Sequence, residues 1–183
     1  MGLNIEAAAE VKRITGLKSE EDSFEALFKS EYGRVAGIAN RVLADRHEAE
    51  DVAQEVFIDF HRLHSARAQY AASWLYRAAA HTALNRVRGR RRRERREHAQ
   101  ALDLNTQTAD PQIVAETNDD RRRVREALAR LPTKPAAVLV LRSSGLSYAE
   151  IAQALGVRIG QIGTLLRRAE AALRKEVTRG TSL

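Results

Sequence analysis

Residues 146–175 admit few folds. Ser147-Tyr-Ala-Glu150 has the form of a capping box, in which a serine hydroxyl accepts from the third helical N–H and a glutamate bonds back. Ile151, Ala152 and Leu155 share the inner face of a short helix, and Gly156 stands where that helix must close in a left-handed conformation. Val157 falls in the turn. Ile162, Leu166, Ala169 and Leu173 then line one face of a second helix. A small residue, Ala152, four positions before the turn glycine lets the helices cross closely. A branched residue, Ile162, six positions after it anchors the second helix beneath the first. The spacing predicts a helix-turn-helix, although a plain helical hairpin shares its periodicity. Its second helix would enter the major groove of DNA with Arg158, Gln161, Thr164, Arg167 and Arg168 outward. Glutamine suits adenine, arginine suits guanine or phosphate, and threonine suits phosphate or a thymine methyl.

The remainder also reads as helix. Three prolines and ten glycines punctuate the chain, and no run alternates apolar with polar residues. Residues 1–22 are weakly patterned and read as an N-terminal extension, a flexible tail or a short helix. A helix begins near Ser23, its expected N-cap, with Phe24, Leu27, Phe28, Val35, Ile38 and Val42 on one face. After a turn at 44–47, helix 48–63 presents Ala49, Val52, Ala53, Val56, Phe57 and Phe60 to the core. A polar loop, 64–72, leads to helix 73–88, whose buried side is Leu75, Ala79, Ala83 and Val87. The arginine-rich run RVRGRRRRERR follows at 86–96, and the polar, unpatterned segment 97–110 reads as a linker. Asp110-Pro111 looks like the start of a helix that stops before Pro132. The expected fold is all-α: two small helical domains, 23–96 and 111–183, joined by a flexible linker, the second containing the helix-turn-helix.

Charge separates the surfaces of the first domain. The chain carries a net +7, which points to a polyanionic partner. Yet Glu48, Asp51, Glu55 and Asp59 form an acidic stripe on helix 48–63, with Gln54 and Ile58 beside it. Such a face repels DNA and suits a basic helix of a protein partner. Helix 73–88 is the reverse: Arg77, His81, Asn85 and Arg88 line its outer side, and Trp74 stands near its start as either core or stacking ring. The arginine run extends this face toward phosphates. The absence of cysteine suits a reducing cytosol. No signal peptide or membrane-spanning run is visible, so no membrane insertion is expected. His61 and His64 lack further ligands, no nucleophile is marked out, and neither metal, cofactor nor enzymatic activity is expected.

DRHEAEDVAQEVF at 45–57, WLYR at 74–77 and GLSYAEIAQALG at 145–156, in that order, resemble an extracytoplasmic-function sigma factor of bacterial RNA polymerase over about residues 23–95 and 111–177. The resemblance implies a cytoplasmic, nucleoid-associated initiation factor that binds core polymerase, through the β′ clamp helices and the β subunit, and opens promoters. It assigns core binding to Asp45, Glu48, Asp51, Gln54, Glu55, Ile58 and Asp59. It assigns capture of the melted −10 strand to Trp74, Arg77, His81, Asn85, Arg86, Arg88, Arg90 and Arg91. Duplex −35 contact falls to Ser147, Tyr148, Arg158, Gln161, Thr164, Arg167 and Arg168. An anti-sigma protein is an implied partner. The chain departs from the pattern at His81 and Asn85, where the family often has Asn then Asp. It departs again at Gly163, Leu165 and Glu170, where basic residues are usual. Leu165 widens the apolar face and is a candidate protein contact, and Gly160 and Gly163 each cost roughly 1 kcal/mol of helix stability relative to alanine. Two other readings fit the residues: a dimeric helix-turn-helix regulator of operator DNA, and a nonspecific basic architectural or RNA-binding protein.

Overall fold

The computed structural model describes the backbone of residues 3–103 and 116–181 and the side chains of 19–99 and 120–179. Among the described residues there are seven helices and no strand. Helix α1 spans Leu3–Leu43, α2 Arg46–Leu63 and α3 Ala71–Asp103; α4 spans Glu116–Arg130, α5 Thr133–Ser143, α6 Tyr148–Leu155 and α7 Ile159–Thr181. No helix of the described residues is long and apolar enough to cross a membrane.

The first three helices form one packed unit. Val35, Ile38, Ala39 and Val42 of α1 are buried against Val52, Val56, Phe57 and Phe60 of α2 and against Leu75, Ala79, Ala80, Ala83 and Leu84 of α3. The six core positions expected on α2 are all buried. Phe24 and Phe28 reach the same core from α1, their rings edge-on to Phe57. Asp45 caps α2 by accepting from the Glu48 N–H at 3.0 Å, and Ala44 before it takes a left-handed φ of 52° to turn the chain out of α1.

Two boundaries differ from the sequence expectation. Ser23 is not an N-cap: α1 already runs through it, and its hydroxyl donates to the Ser19 carbonyl at 2.7 Å, the back-bonding a mid-helix serine adopts. Helix α3 does not end near residue 88. It continues through the arginine run to Asp103, so the first part of the expected linker is helical. Arginine and glutamate are good helix formers, and no proline interrupts the stretch. The expected helix start at Asp110-Pro111 lies outside the described residues.

In the second unit, Leu131, Ala136, Ala137, Val138, Val140 and Leu141 of the α4–α5 region bury against Leu146, Ile151, Ile162, Leu166 and Ala169. The capping box is complete: the Glu150 N–H donates to Ser147 Oγ at 3.3 Å and the Ser147 N–H to Glu150 Oε2 at 2.7 Å. Gly156 closes α6 at φ 62°, ψ 43°, and the Val157 N–H returns to the Ala152 carbonyl. Ala152 and Ile162, the crossing and anchoring residues, are both buried. Leu165 is half-buried against this core, because α7 is held from beneath by α4 and α5 as well as α6.

The two units pack on each other through α3, which touches α4, α5 and α6. Arg88 makes the firmest link. Its guanidinium donates to the Ala129 carbonyl at 3.2 Å, the Leu131 carbonyl at 2.7 Å and Thr133 Oγ1 at 3.0 Å, joining the end of α4 to the start of α5. A second link runs from α1: Arg34 pairs with Glu150 at 2.8 Å, donates to the Tyr76 hydroxyl and lies 4.9 Å from that ring's centre. Tyr76 in turn donates to Glu31, and burial, reinforced by that carboxylate, pushes its pKa up to about 12.

Two outcomes follow for stability. A Cβ added in Gly156→Ala meets no neighbour within 4 Å, so the cost is the backbone strain alone; chemical denaturation should show a loss of about 1 kcal/mol, smaller for Gly156→Asn. Arg88→Ala leaves the ends of α4 and α5 without their charged donor, and the same measurement should show a loss of about 2 kcal/mol, with faster amide exchange at the start of α5.

Candidate nucleic-acid interface

The N-terminal part of α7 stands free on the side away from the core. Arg158, Gln161, Arg167 and Arg168 are exposed and Thr164 is half-buried. Gln161 has a local duty as well: its side-chain oxygen accepts from the Arg158 N–H at 3.1 Å and caps the opening of the helix. Its amide nitrogen is the end left to meet a base. Ser147 is engaged in the capping box, so its hydroxyl reaches a partner only by leaving Glu150. The Glu150 carboxyl sits below its usual pKa, first because of the Ser147 backbone N–H and hydroxyl and then because of Arg34. Tyr148 is exposed, with the Arg142 guanidinium 5.4 Å from its ring centre. Sequence reasoning passed over Arg142. It lies outside the helix-turn-helix spacing, and only the tight turn through Gly145, at φ 86°, brings it back beside Tyr148.

Along α3, the eight expected strand-binding residues do not form a single face. Arg77 and Asn85 are exposed and His81 is half-buried beside them. Burial, then the charges of Arg77 and Arg88, lowers the His81 pKa and favours the neutral ring, which offers one donor and one acceptor. Arg88 of the same stripe is turned to α4 and α5 as described. Trp74 is half-buried, its ring 5.4 Å from Phe60 and 4.9 Å from His64, so part of it belongs to the core of the first unit. Arg86 and Arg90 point the other way, to α2: Arg86 pairs with Glu55 at 2.7 Å and Arg90 with Glu48 at 3.0 Å. Arg91 faces α4.

The loop before α3 is tied down from the N-terminal side. Glu20 accepts from Ser65 Oγ at 2.6 Å and from the Ala66 N–H at 3.0 Å, and Arg67 reaches Ser19 and Ser23. Residues 19 and 20, within the expected extension, therefore hold the loop that leads to Trp74. No local sequence signal marks them, since the contact spans 45 residues of chain. His64 ends α2 and packs between Tyr70 and Trp74, and His61 lies against Phe24.

On α2 the acidic stripe is only partly compensated. Glu48 and Glu55 have their arginines. Asp51 and Asp59 are exposed and make no ion pair with the described residues. Gln54 is exposed next to them and Ile58 is 50 % exposed, an apolar side chain set among carboxylates. Asp45 sits at the head of the stripe with one carboxylate oxygen committed to the cap. The molecule thus presents two exposed surfaces of opposite sign, one on α2 and one on α7, with the polar stripe of α3 between the two packed units.

Comparison with known proteins identifies the family. The Sigma-70 region 2 family model matches residues 27–93, and the Sigma-70 region 4 model matches residues 121–173. The chain is 31 % identical over 164 residues to the ECF RNA polymerase sigma factor SigK of Mycobacterium ulcerans, spanning 86 % of this chain and 87 % of that one. It is 28 % identical to the ECF RNA polymerase sigma factor SigW of Bacillus subtilis, across 91 % of this chain and 95 % of the relative. Among solved structures, CnrH in complex with the cytosolic domain of CnrY shares the fold with a TM-score of 0.53 at 20 % identity, covering 88 % of this chain and 92 % of CnrH. The two family models match in sequence order, the first over α1–α3 and the second over α4–α7, and the chain belongs to the extracytoplasmic-function sigma factors, which bind core RNA polymerase and direct transcription initiation at promoters.

Proposed function

We propose that this sigma factor divides its contacts by charge. The α2 stripe of Asp45, Glu48, Asp51, Gln54, Glu55, Ile58 and Asp59 docks on the basic clamp helices of the polymerase β′ subunit. Arg77, His81 and Asn85 receive the melted −10 strand, with Trp74 at its edge; Arg86, Arg88 and Arg90 join them on leaving the partners they hold in the packed chain, and Arg91 once α4 moves away. Ser147, Tyr148, Arg158, Gln161, Thr164, Arg167 and Arg168 contact the −35 duplex, and Arg142 joins them. In this reading residues 23–96 are the polymerase and −10 domain and 111–183 the −35 domain. Residues 97–110 between them start as the last turns of α3, and residues 1–22 precede. The chain acts in the cytoplasm, does no covalent chemistry of its own and is held in check by an anti-sigma partner.

The observation that carries this reading is the uncompensated acid on α2. A protein that uses only DNA contacts gains nothing from exposed Asp51 and Asp59 around an exposed isoleucine, because that surface repels phosphate. A basic protein surface is its natural complement.

The reading also requires movement. The two promoter elements are centred about 25 base pairs apart, roughly 85 Å of B-form duplex at about 3.4 Å per pair. Helix α6 lies directly against α3. The packed chain therefore cannot serve both elements at once, and the −35 domain must leave α3 when polymerase is engaged.

Charge reversal separates the surfaces. Asp51→Arg combined with Glu55→Arg should weaken binding to core polymerase by at least roughly a hundredfold, while binding of the isolated chain to promoter duplex is kept or strengthened and the helical circular dichroism is unchanged. Unaltered core binding would sink the assignment of α2. A chain that instead shifts duplex DNA as a dimer without polymerase would fit an operator-binding regulator.

A further inference from the structure

Helices α3 and α4 meet with like charges facing each other. Between them lies a cleft of about 560 Å³, within the range of roughly 300–1,000 Å³ usual for small-ligand sites. Arg90, Arg91 and Arg95 enter it from α3, and Arg122, Arg125 and Arg130 from α4; Glu94 and Glu126 are the carboxylates in its wall. Val42, Leu43 and Val87 also line it and give it an apolar part.

Three arginines of α3 have partners: Arg86 and the cleft-lining Arg90 on α2, and Arg88 on the α4–α5 turn. On the α4 side, Arg130 donates to the Glu176 carbonyl at 3.3 Å and lies 3.8 Å from Glu126. Arg91, Arg95 and Arg125 have no hydrogen-bond or ion-pair partner among the described residues. Arg91 and Arg125 are half-buried all the same. Burial first, and then neighbouring guanidiniums, lowers the pKa of each: Arg130 and Arg95 act on Arg91, and Arg90 and Arg121 on Arg125. Guanidiniums opposed across a helix contact repel one another, and an anion placed between them turns that repulsion into attraction.

We propose that this cleft binds a small anion carrying two or more linked phosphates, and that the bound anion clamps α4 to α3. The planar fork of each guanidinium matches a phosphate edge in bidentate fashion. Three unpartnered guanidiniums on two helices carry more positive charge than one carboxylate or sulfate neutralises, whereas linked phosphates carry enough negative charge to match them. Walls set by two packed helices, with the apolar side chains of Val42, Leu43 and Val87 between them, suit a compact ligand rather than a duplex. Because α4 belongs to the −35 unit and α3 to the −10 unit, occupancy favours the packed arrangement of the whole chain.

Inorganic triphosphate is the probe, titrated into the full chain in magnesium-free buffer at fixed ionic strength and followed by calorimetry and thermal melting. The expected result is saturable binding at one site with a raised melting temperature. Arg95→Gln with Arg125→Gln should weaken it by at least about tenfold, and Arg167→Gln on the exposed reader face should leave it unchanged. Arg95→Lys with Arg125→Lys keeps the charge but loses the forks, and it should bind more weakly than the parent even if the glutamine pair fails to fold. Several results overturn the proposal: an equal melting shift from sulfate at matched ionic strength, unaltered affinity in the lysine pair, or no saturation by triphosphate. Binding of single-stranded oligonucleotide alone, lost in the same variants, overturns it too and makes the cleft a nucleic-acid track.

Discussion

Helix α3 is buried along a seam of small side chains, and the rest of the structure is referenced to that seam. Ala79, Ala80 and Ala83 are fully buried with Leu75 and Leu84. Alanines at a helix contact let neighbouring backbones approach closely, so α1 and α2 lie against one side while α4, α5 and α6 pack along others. At about 1.5 Å per residue, a helix of 33 residues is roughly 50 Å long. It is long enough to carry a core segment, a polar stripe and an arginine-rich extension in succession. Removing the close approach would separate the two units from each other and α2 from its arginines.

The same helix decides where positive charge goes. A run that reads as a single basic patch is split three ways by the 100° turn between residues. Arg86 and Arg90 neutralise part of α2, Arg88 holds the second unit, and Arg91 and Arg95 face α4. Only part of the net positive charge is therefore offered outward from α3. The exposed carboxylates of Asp51 and Asp59 stand beyond the reach of those arginines, so α2 keeps an acidic face in a basic protein.

Local signals made the helix-turn-helix legible. A capping box, a left-handed glycine and the Ala152 to Ile162 spacing are all short-range, and each occurs as read. The core of α2 was legible for the same reason, since its apolar period leaves one choice of face. Ser23 misled because a serine hydroxyl serves a cap and a mid-helix carbonyl equally well. The length of α3 was hidden because a run of arginines has helix propensity but no apolar period. Its continuation to Asp103 comes with tertiary partners for Arg86, Arg88 and Arg90 that no local pattern announces. The packing of the second unit on α3, and the link from Glu20 to the Ser65 hydroxyl and the Ala66 N–H, join residues more than 40 positions apart and leave no trace in any short window.

If the proposed division of contacts holds, the free chain keeps its second unit packed on α3 and releases it on engaging polymerase. The chain has no cysteine, so Lys29→Cys on α1 and Lys175→Cys on α7 can carry a spin-label pair without competing thiols, both positions being exposed. Pulsed electron-electron distance measurement of that pair should give one short, narrow distribution for the free protein and a longer one, by tens of ångströms on the scale of about 3.4 Å per base pair, when core polymerase and promoter are added. An identical distribution in both states, or an already extended one in the free protein, would contradict the account.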